Sequence, residues 1–172
     1  GMIFYDPEYL RQVRALCSHY SVHWIADEIA VGCGRTGSFY ACEQSGVWPD
    51  LLCLSKGIAG GFLPLSIVLS RDELYRLFLH ESASRAFLHS HSFSGNALAC
   101  RAALAVLDVL EKDQVLAANQ VRSRRLTERL QPLAGLPRVQ QFRHLGMIWA
   151  WDIADAPTDF SRRVYRVALR HG

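Results

Sequence analysis

Two short apolar runs that each end abruptly in charged residues constrain the fold of this chain most. The run at residues 22–26 is followed at once by Asp27 and Glu28, and the run at residues 50–55 stops at Lys56. Runs of this length, rich in apolar residues, are typical of buried strands rather than of independent helices. Charged groups therefore collect at strand ends, where the ligands of open α/β sheets bind.

Helical patterns alternate with these runs, and a third apolar run lies at residues 65–69. The predicted helices begin at Asp6-Pro7-Glu8, near residue 71, near residue 96 and near residue 115, and the last three end near residues 80, 113 and 130. Because short strands alternate with helices, the sequence predicts an α/β layer architecture.

Three helix-breaking residues, Pro132, Gly135 and Pro137, separate this pattern from a second unit. There, residues 144–152 predict one strand and residues 159–170 predict a helix. We place a domain boundary at this break, with one unit at residues 1–133 and the beginning of a smaller α+β unit at residues 134–172.

Charge and cysteine usage favour a soluble cytoplasmic protein. The net charge is only +3, and the one basic cluster, four arginines between residues 122 and 129, fits a solvated helix face better than a nucleic-acid site. The five cysteines are odd in number and form no C-x-x-C pair, as expected of free thiols in a reducing compartment. Neither a long apolar run nor a signal peptide is recognisable, so no membrane partner is expected.

Three motifs give weak alternatives. Glycines 32, 34 and 37 match the dinucleotide-binding pattern G-x-G-x-x-G, but residues 27–31 separate them from the strand, so a tight turn explains them better. His89 and His91 lack a third metal ligand at a suitable spacing. Asp27 and Glu28 could act as paired carboxylates in glycoside hydrolysis, but neighbours on a strand point to opposite faces.

Lys56 combines an apolar strand before it with flexible glycines after it. A surface lysine at a strand end is the simpler interpretation. In a partly desolvated crevice, however, its pKa would fall, and the neutral amine forms a Schiff base with an aldehyde. An aldehyde cofactor of the pyridoxal type also needs an acid opposite its ring nitrogen, and Asp27 at the end of the neighbouring strand is the candidate.

Two blocks of sequence resemble the signature of class III aminotransferases. The first reads Ile-Ala-Asp-Glu-Ile at 25–29, Gly-Cys-Gly-Arg-Thr-Gly at 32–37, Pro-Asp at 49–50, Ser-Lys-Gly-Ile-Ala-Gly-Gly at 55–61 and Pro-Leu at 64–65. The second reads His-Ser-His-Ser-Phe-Ser-Gly-Asn-Ala-Leu-Ala-Cys at 89–100 and is similar to the branch of the family that acts in biotin synthesis. The resemblance implies the fold-type I large domain of enzymes that use pyridoxal 5′-phosphate (PLP), followed by part of the small C-terminal domain.

Carried over by position, the resemblance assigns a role to each matching residue. Lys56 would hold PLP covalently and act on the substrate, and Asp27 would bind the pyridine nitrogen. His91 and Ser92 would reach the cofactor phosphate of the opposite subunit of a homodimer, and Ser90 would lie near the substrate. The substrates would be a small-molecule amine donor, S-adenosylmethionine in the biotin branch, and a keto acceptor.

Three positions depart from the family pattern: Ser92 replaces the usual threonine and keeps the hydroxyl, whereas His91 and Ala97 replace frequent prolines.

Members of the family are more than twice as long as this chain, which leaves alternatives open. The chain is either the central and C-terminal portion of an active enzyme or a truncated paralogue that folds without catalysing. A third alternative keeps the fold but takes another ω-amino acid or a diamine.

Overall fold

The structure of the chain is a computed structural model that describes residues 2–90 and 92–172. Its helices and strands are, in chain order, α1 (Pro7–His19), β1 (Ile25–Asp27), β2 (Leu51–Leu54), β3 (Ile67–Ser70), α2 (Asp72–Phe78), α3 (Ala97–Lys112), α4 (Val115–Leu130), β4 (Val139–Leu145), β5 (Ile148–Ile153) and α5 (Phe160–Ala168). Short 3-10 helices lie at Ala41–Ser45, Lys56–Ala59, Ala83–Arg85 and Gln131–Gly135.

The first three strands form one sheet in the order β1-β2-β3. β1 and β2 are parallel, with Asp27 paired to Cys53, and β3 is antiparallel to β2. The predicted burial of the first strand is wrong, because its residues Ile25 and Asp27 are exposed. Apolar content alone does not reveal whether a neighbouring layer covers a strand.

The core lies on one face of this sheet, where Leu52 and Leu54 of β2 pack with Cys42. Behind the sheet, α3 packs against the 3-10 helix that begins at Lys56. The buried side chains at this contact are small, Ala99 and Ala103 on α3 and Ala59 on the short helix. Small side chains let the two backbones approach closely, so α3 fixes the segment that carries Lys56.

Helix positions follow the sequence closely. Asp6 caps α1 by accepting the N–H of Glu8 at 2.8 Å, and Pro7 stands at the first helical position. Asn96 caps α3 by accepting the N–H of Ala99 at 3.0 Å. The predicted bounds of α3 and α4 are confirmed, whereas β3 begins two residues later than predicted and α2 covers only seven residues.

The predicted single strand at residues 144–152 is wrong. The segment is the centre of an antiparallel hairpin of β4 and β5, which turns at Gly146 and Met147. Gly146 has a φ of +57°, a conformation that permits the reversal and that residues with a Cβ rarely adopt. Among the described residues, no helix is both long and apolar enough to cross a membrane.

Candidate active site

Lys56 lies directly beyond the carboxyl end of β2 and opens the 3-10 helix Lys56–Ala59. Its backbone has a φ of +42°, a strained conformation for a residue with a side chain. The preceding Ser55 hydroxyl donates to the carbonyl of Leu65 at 2.7 Å and so ties this turn to the segment before β3. The strand end is therefore held on both sides of the lysine.

The side chain of Lys56 lines a crevice of about 230 Å³ between the glycine-rich loop, α4 and the turn of the β4–β5 hairpin. It is exposed, contrary to the prediction of a partly desolvated amine. Within residues 2–90 and 92–172 it makes no side-chain hydrogen bond or ion pair. The amine is therefore open to reagents that enter the crevice.

Asp27 ends β1 and is exposed. Its Oδ1 accepts the N–H of Ile29 at 3.0 Å, which orients the carboxylate. Oδ2 has no partner in the described part of the chain. One oxygen is thus held by the backbone, and the other is available to a ligand.

Asp27 and Lys56 lie at the same edge of the sheet. β1 and β2 are parallel, Asp27 pairs with Cys53, and Lys56 follows three residues later. The two side chains nevertheless line different cavities, since Asp27 faces a larger one, of about 470 Å³, that also includes residues 2–5. The structure brings them to one edge without bringing them into direct contact.

Glu28 has a structural role that the sequence did not indicate. It is 4% exposed, and its two carboxylate oxygens accept the N–H groups of Ala41 and Cys42 at 2.7 and 2.8 Å. Its own N–H donates to the carbonyl of Cys53, and its carbonyl accepts the N–H of Gly32. Glu28 therefore ties the end of β1 to β2 and to the glycine-rich loop. Asp27 is exposed whereas Glu28 is buried, so the two neighbouring carboxylates lie in different surroundings.

The thiols beside Glu28 are poor nucleophiles. Burial, followed by the nearby Glu28 carboxylate, raises the pKa of Cys42 to about 12. The same two causes raise the pKa of Cys33, which lines the Lys56 crevice. A raised thiol pKa keeps the proton on sulfur at neutral pH, so Cys33 and Cys42 are poor nucleophile candidates.

The glycine-rich segment at residues 32–37 forms turns and no helix N-terminus. Gly34 and Gly37 have φ values of +89° and +107°. A dinucleotide fingerprint needs a helix to start at the glycines so that a pyrophosphate meets its N-terminus, and that helix is absent here. The tight-turn interpretation of this segment is confirmed.

The second block of candidate residues lies apart from the crevice. Ser90 and Ser92 are exposed and line none of the cavities described above, and His91 lies outside the described residues. The neighbouring Ser82 and Ser84 bond only to each other and to local groups. The roles assigned to Ser90, His91 and Ser92 therefore stay predictions.

The sequence also missed Asn119 of α4 and Met147 of the hairpin, which line the crevice with Lys56. Neither belongs to a motif. Both come to the crevice through the packing of distant segments, so no local signal could have found them.

Comparison with known proteins decides the family. The sequence profile of the class-III aminotransferases matches residues 1–172. The chain belongs to the class-III aminotransferases. The adenosylmethionine-8-amino-7-oxononanoate aminotransferase of Helicobacter pylori is 44% identical over 100% of this chain. That alignment takes in 41% of the relative, so the chain spans about two fifths of its length.

Solved structures of aminotransferases share the fold. The adenosylmethionine-8-amino-7-oxononanoate aminotransferase of Methanocaldococcus jannaschii is 37% identical, with a TM-score of 0.85 over 90% of this chain and 36% of its own. The taurine:2-oxoglutarate aminotransferase of Bifidobacterium kashiwanohense, solved with PLP and glutamate, has a TM-score of 0.88 over 99% of this chain and 40% of its own. At 24% identity the latter supports the fold alone. The predicted family and fold class are thereby confirmed, and the boundary at residue 133 stays a prediction.

Proposed function

We propose that this chain supplies the cofactor-binding lysine of a PLP-dependent aminotransferase. The whole enzyme would transfer an amino group from S-adenosylmethionine to 8-amino-7-oxononanoate, giving 7,8-diaminononanoate in biotin synthesis. The observation that carries the proposal is the pair of opposite charges, Asp27 and Lys56, at the carboxyl ends of adjacent parallel strands. The 44% identity to a relative named for this reaction supports the choice of substrates.

The residues present fit the cofactor by their chemistry. Lys56 offers an unpaired, accessible amine for covalent attachment to the aldehyde, and Asp27 offers a carboxylate with one open oxygen. When bound, PLP supplies a ring that withdraws electrons from the carbon carrying the amino group. The negative charge of Asp27 would hold the proton on the pyridine nitrogen and so sustain that withdrawal.

Lys56 has a second task in this proposal. Once the amine donor has displaced it, the freed side chain can carry a proton between the donor carbon and the cofactor. The short helix that carries Lys56 packs against α3, which fixes the backbone of the lysine. The long exposed side chain can then move between the two carbons.

Ser90, His91 and Ser92 would act across a homodimer in the cytoplasm. Residues 75–90 and 92–95 are all exposed, and Ser90 and Ser92 do not line the Lys56 crevice. Exposed hydroxyl groups on this segment could reach the phosphate site of a partner subunit. Ser92 would then donate its hydroxyl hydrogen to the cofactor phosphate.

Two alternatives remain within the family. The donor and acceptor could be another ω-amino acid or a diamine, because much of the length of the relatives lies outside this chain. The chain could also fold without catalysing, which the separate cavities of Asp27 and Lys56 favour.

The test is an absorbance spectrum of the chain mixed with PLP, followed by borohydride reduction and peptide mapping. The chain contains only two lysines, Lys56 and Lys112, so Lys112→Ala is a matched control for Lys56→Ala. We expect an absorbance band at the edge of the visible and a reduced label on Lys56, both lost in Lys56→Ala and kept in Lys112→Ala. Asp27→Asn should weaken the band by about tenfold or more, as expected for loss of a charge-assisted bond.

A label shared equally by Lys56 and Lys112, or no band, would refute cofactor binding by this chain and favour the non-catalytic alternative.

A further inference from the structure

The turn of the β4–β5 hairpin packs directly against the glycine-rich loop. A Cβ built on Gly146 would lie 2.2 Å from the carbonyl carbon of Thr36 and 2.6 Å from the nitrogen of Gly37. The next residue, Met147, donates its N–H to the carbonyl of Arg35 at 2.9 Å. Only glycine at position 146 lets the two backbones meet, so the loop and the hairpin turn form one contact.

Ser123 of α4 holds this turn in place. Its buried hydroxyl donates to the carbonyl of Gly146 at 2.6 Å and lies 2.8 Å from Nε2 of His144. That Nε2 is itself 2.7 Å from the same carbonyl. The His144 ring stacks on Trp149, with centroids 5.0 Å apart, which fixes its orientation. Two side chains thus converge on one carbonyl oxygen at the hairpin turn.

The contact continues from the turn to Lys56. The crevice around Lys56 is lined by the loop at residues 32–35, by Gly57 and by Met147. A Cβ on Gly57 would lie 2.9 Å from the Cβ of Cys33, so the loop also touches the residue that follows the lysine. Displacement of the hairpin turn would therefore move two walls of the crevice, the one formed by Met147 and the one formed by the glycine-rich loop.

We propose that Ser123 is a positioning residue for Lys56. By holding Gly146 against the loop at Thr36 and Gly37, it sets the shape of the crevice into which the Lys56 amine projects. The catalytic use of that amine rests on the proposed function, whereas the effect on its reactivity does not. Ser123 acts through Gly146 and the loop and makes no contact with the lysine crevice itself.

Thr127 provides a matched control. It lies one helical turn beyond Ser123 on α4 and accepts the indole N–H of Trp149 on the same hairpin at 2.8 Å. Thr127→Val removes one hydrogen bond between α4 and the hairpin, and Ser123→Ala removes the contacts of one hydroxyl with Gly146 and His144. Of the two variants, only Ser123→Ala releases the turn. If Ser123 contributed only to the stability of the chain, the two variants would show the same reactivity at Lys56.

The readout is reductive methylation with formaldehyde and cyanoborohydride, which needs no PLP. The lysine amine condenses with formaldehyde with loss of water, and hydride from cyanoborohydride reduces the product to a methylamine. Peptide mass spectrometry gives the rate at Lys56 relative to that at Lys112, an exposed residue at the end of α3. Measured across pH, the ratio reports the surroundings of Lys56 alone.

We expect Ser123→Ala to raise the Lys56 to Lys112 ratio by about fivefold and to shift its pH profile, because the hydroxyl that holds Gly146 is lost. Thr127→Val should leave both unchanged at a similar loss of thermal stability. Equal ratios in the two variants would overturn the proposal. Where Ser123→Ala does not fold, Ser123→Cys decides, because it nearly keeps the side-chain volume and replaces the hydroxyl that bonds Gly146 by a weaker donor. An unchanged ratio there also overturns it.

The result is separable from the proposed function. A chain whose Lys56 ratio responds to Ser123→Ala but whose Lys56 takes no PLP label would retain the positioning role and refute the aminotransferase site.

Discussion

The carboxylate of Asp50 lies between two arginines, 2.8 Å from Arg14 and 3.1 Å from Arg71, and also accepts the N–H of Trp24. Burial raises the pKa of this carboxyl, but the hydrogen bonds from Trp24 and the two arginines outweigh burial and bring the pKa down to about 2. One side chain thereby joins α1, the segment before β1, and the start of α2.

The lowered pKa of Asp50 predicts a stability change in acid. A carboxyl with a folded pKa of about 2 and an ordinary value of 3.8 contributes stability that is present above pH 3.8 and is lost as pH falls toward 2. Asp50→Asn should cost about 2–4 kcal/mol at pH 7 and should flatten the pH dependence between pH 4 and 2. Urea unfolding of both proteins at a series of pH values measures this.

The exposed pair of Asp72 and Arg76 is the control for Asp50. Asp72→Asn should change stability by less than about 1 kcal/mol, because solvent screens such pairs. Similar losses in the two variants would show that Asp50 contributes no more than a surface charge does.

Single residues differ in how far the sequence reveals them. The positions of Asp27 and Lys56 at the ends of strands were predictable, because each is a charge that ends an apolar run. The role of Glu28 was not predictable, because its partners are the backbone N–H groups of Ala41 and Cys42. The sequence does not show which backbone groups a side chain will meet. The burial of Glu28 depends on a 3-10 helix that only the folded chain brings near.

The start of α3 is set by its N-cap residue, Asn96. Asn96 has a φ of −51° and a ψ of +117°, and its side chain accepts the N–H of Ala99. Ala97 then occupies the first helical position, where a backbone N–H has no partner within the helix. A proline fits such a position, and an extended ψ is the conformation favoured before proline.

We predict that Ala97→Pro stabilises the chain by about 0.4–1 kcal/mol, because proline restricts the unfolded chain without removing a native hydrogen bond. Ala102→Pro, in the middle of the same helix, should instead cost about 3 kcal/mol or more. Thermal or urea unfolding distinguishes the two. Destabilisation by Ala97→Pro would mean that the first turn of α3 differs from the structure described.

The elements that the sequence predicted well are those with uninterrupted patterns and clear ends. The bounds of α3 and α4 follow from strong helix formers and from Asn96 at the start. The hairpin differs from the predicted single strand because Gly146 stands inside an apolar run, a pattern typical of one continuous strand. The reversal there is decided by the contact of Gly146 with Thr36, which is tertiary and invisible to a local pattern.

The whole molecule exposes more surface than a compact protein of its mass. Its accessible area is 12826 Å², whereas about 8,500 Å² is expected for a folded monomer of this size. Many large apolar side chains are exposed, and Phe62 and Leu88 are more than four fifths exposed. Apolar surface of this extent marks sites of association.

We predict that the isolated chain binds a hydrophobic dye such as ANS and associates at micromolar concentrations. Burial of apolar area at about 25 cal/mol per Å² provides the driving force. Sedimentation velocity over a range of concentrations measures the association, and Phe62→Ser with Leu88→Ser should reduce it. A monomer without dye binding would contradict the exposed surface described here.

The meeting of Gly146 with the Thr36–Gly37 loop also has a kinetic consequence. The partners are more than a hundred residues apart in the sequence, and contacts of such separation form late because the loop they close is entropically costly. During synthesis, the wall beside Lys56 stays open until the hairpin has left the ribosome. Lys56 is therefore made before the hairpin turn that forms one wall of its crevice.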